Sequence, residues 1–225
     1  MSESLFVHAL GLGLDPAWRR QTRDDRCRSA EDFCAALDAE SEVTTFTYSM
    51  IGLKAGVDLM LWSLAPSFEA LEAKIAAGLR TGMGAWMTPR HSLLGVIRPS
   101  QYVKRPTQQE QSLFSGERSK YLVVYPFTKS TDWYLLSQEE RQKVMNEHMK
   151  VGHRYQQVRQ LLAYSFGVDD MDFLVAYETD DLAAFGDLVR ELRGTESRRS
   201  TVRDTPILTG IHRPIESITR LLGAE

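Results

Sequence analysis

Apolar residues dominate Lys120–Tyr125 (KYLVVY), a run of β-forming residues that predicts a strand. A turn follows, and Ser137-Gln-Glu-Glu140 then has the form of a capping box, which fixes where a helix begins. Beyond it Val144, His148, Val151, Tyr155, Val158 and Leu162 recur every three or four positions, which predicts one helix running to about Leu162. The Val168-Asp-Asp turn leads into a strand over Phe173–Tyr177. A helix over Leu182–Leu192 ends near Gly194, and the last strand covers Ile207–Ile211.

Compared with itself at an offset near 115 residues, the chain repeats in order. Arg98-Pro99 after the apolar run Leu93–Ile97 matches Arg213-Pro214 after Ile207–Ile211. Tyr48-Ser49 matches Tyr164-Ser165, Asp58-Leu-Met-Leu matches Asp172-Phe-Leu-Val, and the helical stretch Phe68–Arg80 matches Leu182–Arg193. Each half reads as strand, helix, strand, strand, helix, strand. The expected fold is therefore α+β, with two tandem ferredoxin-like halves (residues 1–100 and 120–225) whose antiparallel sheets pack together. Residues 101–119 between them are polar and turn-rich, which predicts a linker long enough to act as a lid.

Composition narrows the partners. Lys+Arg 27 against Asp+Glu 30 gives a net charge of −3, so there is no basic excess to meet a nucleic-acid backbone. No apolar run approaches the ~20 residues of a membrane span, and the N-terminus lacks the basic n-region of a signal peptide. Cys27 and Cys34 fit neither a CxxC motif nor a disulfide framework, which leaves two reduced thiols. The expectation is a cytoplasmic protein without membrane or nucleic-acid partners.

The chain carries no P-loop, GxGxxG, HExxH or GxSxG motif. His148 and His153, five apart, would project ~140° from each other on a helix and could not share a zinc ion. His148 still stands out, because a polar ring on an apolar stripe must find partners. It is either a hydrogen-bonded core histidine or the one protein ligand to a metal whose other positions come from a macrocycle. Periodicity does not choose between them.

The segments YLVVYPFTKSTDWYLL, EERQKVMNEHMKVGHRYQQVRQ and LRGTESRR, within residues 118–214, resemble the chlorite dismutase-like haem proteins. Among these the resemblance is closest to the actinobacterial-type coproheme decarboxylases. It implies a dimeric α+β barrel, a homo-oligomer that is usually a pentamer, and an iron porphyrin at the site. The implied reaction uses hydrogen peroxide to convert iron coproporphyrin III, which brings its own iron, to haem b. By the same resemblance His148 is the axial iron ligand and Glu196 the carboxylate on its other nitrogen. Tyr125 is the catalytic tyrosine, whose radical would oxidise a propionate. Lys129 contacts a propionate, Trp133 lines the pocket, and Pro126, Phe127 and Thr128 lie along it in the same motif. Arg198 and Arg199 are further propionate candidates.

Two positions depart from the pattern. Chlorite-degrading members carry a distal arginine thirteen residues after the axial histidine, where this chain has Leu161. Actinobacterial-type decarboxylases carry a distal histidine seventeen residues before the tyrosine, where this chain has Gln108, which cannot accept a proton near neutral pH. The alternatives to a decarboxylase are a haem peroxidase, a weak chlorite-degrading relative, or a haem-binding protein without catalysis.

Overall fold

The structure, a computed structural model, describes residues 5–98 and 117–225. Gln108 and all but the last three residues of the expected linker lie outside the described residues. The first half of the chain runs through β1 (Leu5–Leu14), α1 (Arg23–Asp38), β2 (Thr44–Lys54), β3 (Val57–Ala65), α2 (Phe68–Arg80) and β4 (Met87–Ile97). The second runs through β5 (Tyr121–Lys129), a short α3 (Thr131–Leu135), α4 (Gln138–Gly152), β6 (Arg159–Tyr164), β7 (Phe173–Thr179) and α5 (Leu182–Leu192). It closes with β8 (Thr201–Arg203), β9 (Leu208–His212) and α6 (Ile215–Leu221).

The described chain divides into two compact units, one joining the residues up to Ile97 with Leu208–Glu225 and the other holding those between. In the first, the antiparallel sheet has the order β4-β1-β3-β2-β9. In the second the order is β6-β7-β5-β8. The expected boundary is thereby corrected at its end, since residues 208–225 belong with the first unit rather than the second. β9 extends the edge of β2, with Ser49 opposite Ile211, and α6 buries Ile215 and Ile218 in the core around Trp18 and Phe33.

A second correction concerns the helix expected to reach Leu162. α4 stops at Gly152, and Arg159–Tyr164 is a strand paired with β7, from Arg159 opposite Glu178 to Tyr164 opposite Phe173. Tyr155, Val158 and Leu162 imitate helical spacing, but Leu161 and Ala163 are buried while Leu162 between them is exposed, which is the period of a strand. The start of α4 is as expected. Ser137 Oγ accepts the Glu140 N–H at 3.2 Å, and the Glu140 carboxylate accepts the Ser137 N–H at 2.8 Å. Ser137→Ala should lower the unfolding free energy by ~1 kcal/mol, seen as a lower urea midpoint at unchanged slope.

The internal repeat persists in three dimensions. Asp58 Oδ2 accepts the N–H of Leu14 at 2.8 Å, and Asp172 Oδ2 accepts that of Lys129 at 2.7 Å. Each strand end is followed by a short helical turn that buries a tryptophan, Trp18 in Pro16–Arg20 and Trp133 in α3. Thr22 then caps α1 as Ser137 caps α4.

Candidate functional site

Register along the second unit's sheet sorts the candidate residues by face. Tyr125 lies opposite Val175 and Phe127 opposite Phe173, while Gln160 lies opposite Tyr177 and Leu162 opposite Val175. Directly opposed residues share a face. On this face Tyr125 and Phe127 pack with Val123, Val175 and Tyr177 against Val151 of α4 and Leu188 of α5. Pro126, opposite Leu174, and Leu161, opposite Ala176, fall on the other face. Leu161 is therefore not among the β6 residues on the face of Tyr125. Gln160 and Leu162 are. Thr128 alternates away from Phe127 and Lys129, and its buried hydroxyl has no partner among the described residues.

Ser197 draws two of the expected residues together. Its Oγ lies 3.1 Å from His148 Nδ1, and its carbonyl accepts from Lys129 Nζ at 2.7 Å. The Lys129 ammonium sits over the Trp133 ring at 4.6 Å and the Phe127 ring at 5.3 Å, so aromatic faces replace much of its lost hydration. Burial, then the Arg198 charge, pull its pKa down to about 8. The His148 imidazole is pulled down to about 4, by burial first and the Lys129 charge second. It is therefore neutral at physiological pH with Nδ1 engaged. Nε2 has no hydrogen-bond partner among the described residues, which is the state a metal-binding imidazole needs.

Glu196 does not take the expected place on His148. Its carboxylate pairs with Arg199 Nε at 3.1 Å, with the two side chains 58% and 80% exposed. Ser197, one residue on, is the buried member of the motif and supplies the Nδ1 partner instead. Arg199 thus points into solvent. Arg198 holds Asp204 at 2.5 Å and lies close enough to lower the Lys129 pKa.

Tyr125 stacks on Tyr177 with ring centroids 6.1 Å apart. Burial, reinforced by Tyr177, holds the Tyr125 phenol well above its ordinary pKa. It keeps its proton at any physiological pH and can leave it only together with an electron. Tyr134 donates to Asp172 Oδ2 at 2.6 Å.

The first half of the chain carries none of this chemistry at the matching positions. Leu10 stands where the second has Tyr125, Leu14 where it has Lys129, and the fully buried Phe33 where it has His148. Among the described residues no three His, Cys, Asp or Glu side chains gather to hold a bare metal ion. A metal at His148 would draw most of its ligands from a bound molecule, which is what a macrocycle provides.

The sequence profile of the chlorite dismutase family matches residues 23–213. The chain belongs to the chlorite dismutase family. It is 32% identical over 217 residues to the coproheme decarboxylase of Mycolicibacterium smegmatis, spanning 96% of this chain and 90% of that protein. Among solved structures, a point mutant of the chlorite dismutase of Candidatus Nitrospira defluvii matches with a TM-score of 0.90 and 27% identity, over 100% of this chain and 97% of the other. The same organism's enzyme in complex with imidazole matches at 0.88 and 28%, over 98% and 95%. The mixed α/β fold of the chain is thus that of solved chlorite dismutases, and no described helix is long and apolar enough to cross a membrane.

Three residues of this candidate cluster were not singled out from the sequence. Ser197 was hidden beside the more conspicuous Glu196. Tyr177 shows its role only through the pairing of Val123 with Tyr177, which stacks it on Tyr125. Gln160 becomes visible once Arg159–Tyr164 is read as a strand.

Proposed function

We propose that the protein is a hydrogen-peroxide-dependent oxidoreductase that converts iron coproporphyrin III to haem b by oxidative decarboxylation of two propionates. The observation that carries this reading is the cluster on one side of the β5 strand. A neutral imidazole with Nε2 free, a buried ammonium and a protonated tyrosine lie with Trp133 and Phe127 around one serine and one sheet face. Those are the parts needed to hold an iron porphyrin, to receive a carboxylate and to relay a hydrogen atom. With peroxide, the bound iron porphyrin supplies the oxidising power for both steps.

The chain's own residues have separable tasks in this account. His148 Nε2 binds the iron while Ser197 fixes the ring through Nδ1. Lys129 has N–H groups directed to the Ser197 carbonyl and, at 3.4 Å, to the Thr201 hydroxyl, and its third can meet a propionate. Tyr125 gives up its phenolic hydrogen atom and regains one from the propionate carbon next to the ring. Loss of a second electron then breaks the bond to the carboxylate, releases carbon dioxide and leaves a vinyl group. Each turnover consumes one hydrogen peroxide and one proton and forms two waters.

Chlorite decomposition is a weaker reading of the same site, because no cation of β6 lies on the face of Tyr125. Arg159 is on the other face, bonded to Glu178 at 2.7 Å. The wider reading adds a cytoplasmic homo-oligomer, as a pentamer, of two ferredoxin-like halves forming a dimeric α+β barrel. Its β-α-β-β-α-β element order supports the halves. Protein loaded with iron coproporphyrin III should convert it with peroxide and release no oxygen from chlorite beyond the free porphyrin's level. Rapid oxygen release would favour the chlorite reading.

Lys129 gives this proposal a pH signature. Its amine is charged below about pH 8 and neutral above it, and a carboxylate binds the charged form. Affinity for iron coproporphyrin III should fall as pH rises through about 8. Lys129→Met should bind about ten-fold or more weakly at neutral pH and lose that dependence. Quenching titrations of the apoprotein read both effects, and a pH-independent wild-type affinity would remove Lys129 from the carboxylate.

A further inference from the structure

Arg141 is the one arginine of α4 and belongs to no arrangement described so far. It precedes His148 by seven residues, two helical turns and about 10 Å along the axis, and so shares the helix face of His148. Its Nε is sealed from solvent and meets no acceptor. Among the described residues its side chain forms no hydrogen bond and no ion pair. The side chain as a whole is half-buried, and leaving its one sealed donor unpaired is costly, so the position has the form of half an interaction.

The internal repeat supplies the control. Arg26 holds the equivalent place on α1, four residues after the capping Thr22 as Arg141 is four after Ser137. Arg26 is fully employed. Its Nε donates to the Gly223 carbonyl and its Nη1 to the Gln21 carbonyl, each at 2.7 Å, and its guanidinium lies 6.0 Å from the Trp18 ring. In the second unit the matching tryptophan, Trp133, is covered by Lys129 instead. The half in which the helix carries Phe33 satisfies its arginine internally, and the half in which it carries His148 leaves it open.

We propose that Arg141 is an anchor for a carboxylate of the bound porphyrin, receiving it on the planar fork of its guanidinium. This inference rests on the reading of the site as one for iron coproporphyrin III. A macrocycle ligated by His148 carries its acidic groups at its rim, and the helix presents Arg141 two turns away from the ligating ring. Arginine suits this task because its fork matches both oxygens of a carboxylate, which the point charge of Lys129 does not. A substrate with four carboxylates calls for more than one cation, and Lys129 with Arg141 supplies two.

The test compares apoprotein affinities for iron coproporphyrin III and for its tetramethyl ester, which has the same ring and no carboxylates. Arg141→Met should bind the free acid about ten- to a hundred-fold more weakly than wild type. It should bind the ester as wild type does and show the same iron–histidine stretching band. Arg141→Lys, which keeps the charge and loses the fork, should fall between and carries the test if the methionine variant does not fold. Unchanged affinity of both variants for the free acid overturns the proposal, as does an equal loss for the ester, which would mark Arg141 as a packing residue. A wild-type protein that fails to bind the free acid at all defeats the underlying reading as well, before any variant is made.

Discussion

Replacing His148 by alanine is expected to remove the axial ligand and with it most of the protein's hold on iron porphyrin. Altering only the hydrogen-bond partner of a ligating histidine costs 10- to 100-fold in metal affinity, so losing the ligand itself should cost more than about 100-fold. No other histidine can substitute from nearby, since His153 caps the end of α4 and points elsewhere around the helix. The stretching band of the reduced iron–histidine bond should vanish, and imidazole added to the medium should restore a ligated spectrum. Its pH behaviour follows from the environment. An imidazole whose pKa is pulled to about 4 is already unprotonated at pH 6, so proton competition should not weaken ligation until the solution is well into the acid range. A variant that keeps the wild-type band would contradict the assignment of His148.

Tyr125→Phe is expected to leave binding intact and abolish turnover. The phenyl ring retains the apolar area packed against Val175 and Tyr177 and loses only the hydroxyl. Phenylalanine has no O–H to surrender, so decarboxylation should drop to the level of free iron coproporphyrin with peroxide, with affinity within a few-fold of wild type. The raised pKa of the phenol sharpens this expectation. Because a phenolate does not form, raising the pH over the range the fold tolerates should not let a pre-ionised Tyr125 speed the reaction. Full turnover by the variant would transfer the hydrogen-atom relay to another side chain, with Trp133 or Tyr134 next to be tested.

Much of the fold was legible in the sequence because local chemistry marks it. The capping box at Ser137 and the repeated aspartates Asp58 and Asp172 each correspond to a hydrogen bond in the structure, and the β-rich run before Tyr125 to the strand β5. The end of α4 was not legible, since Tyr155, Val158 and Leu162 satisfy the helical period by coincidence and the strand they lead into is only six residues long. The strand puts Leu161 on the sheet face away from Tyr125, because a strand changes face at every residue and a helix does not. The placement of residues 208–225 with the first half was also hidden. β9 finds its partner in β2, some 160 residues earlier, through pairing that no local signal encodes. At the site, residue types carried the resemblance, while the choice between Glu196 and Ser197 depended on which of two neighbours turns inward.

The most direct measurement follows product masses while peroxide is titrated into pure protein loaded with iron coproporphyrin III. The account predicts two successive losses of the elements of formic acid, each complete at one equivalent of peroxide, with a three-propionate intermediate and haem b as the end product. Bleaching of the porphyrin with no such mass loss would contradict it.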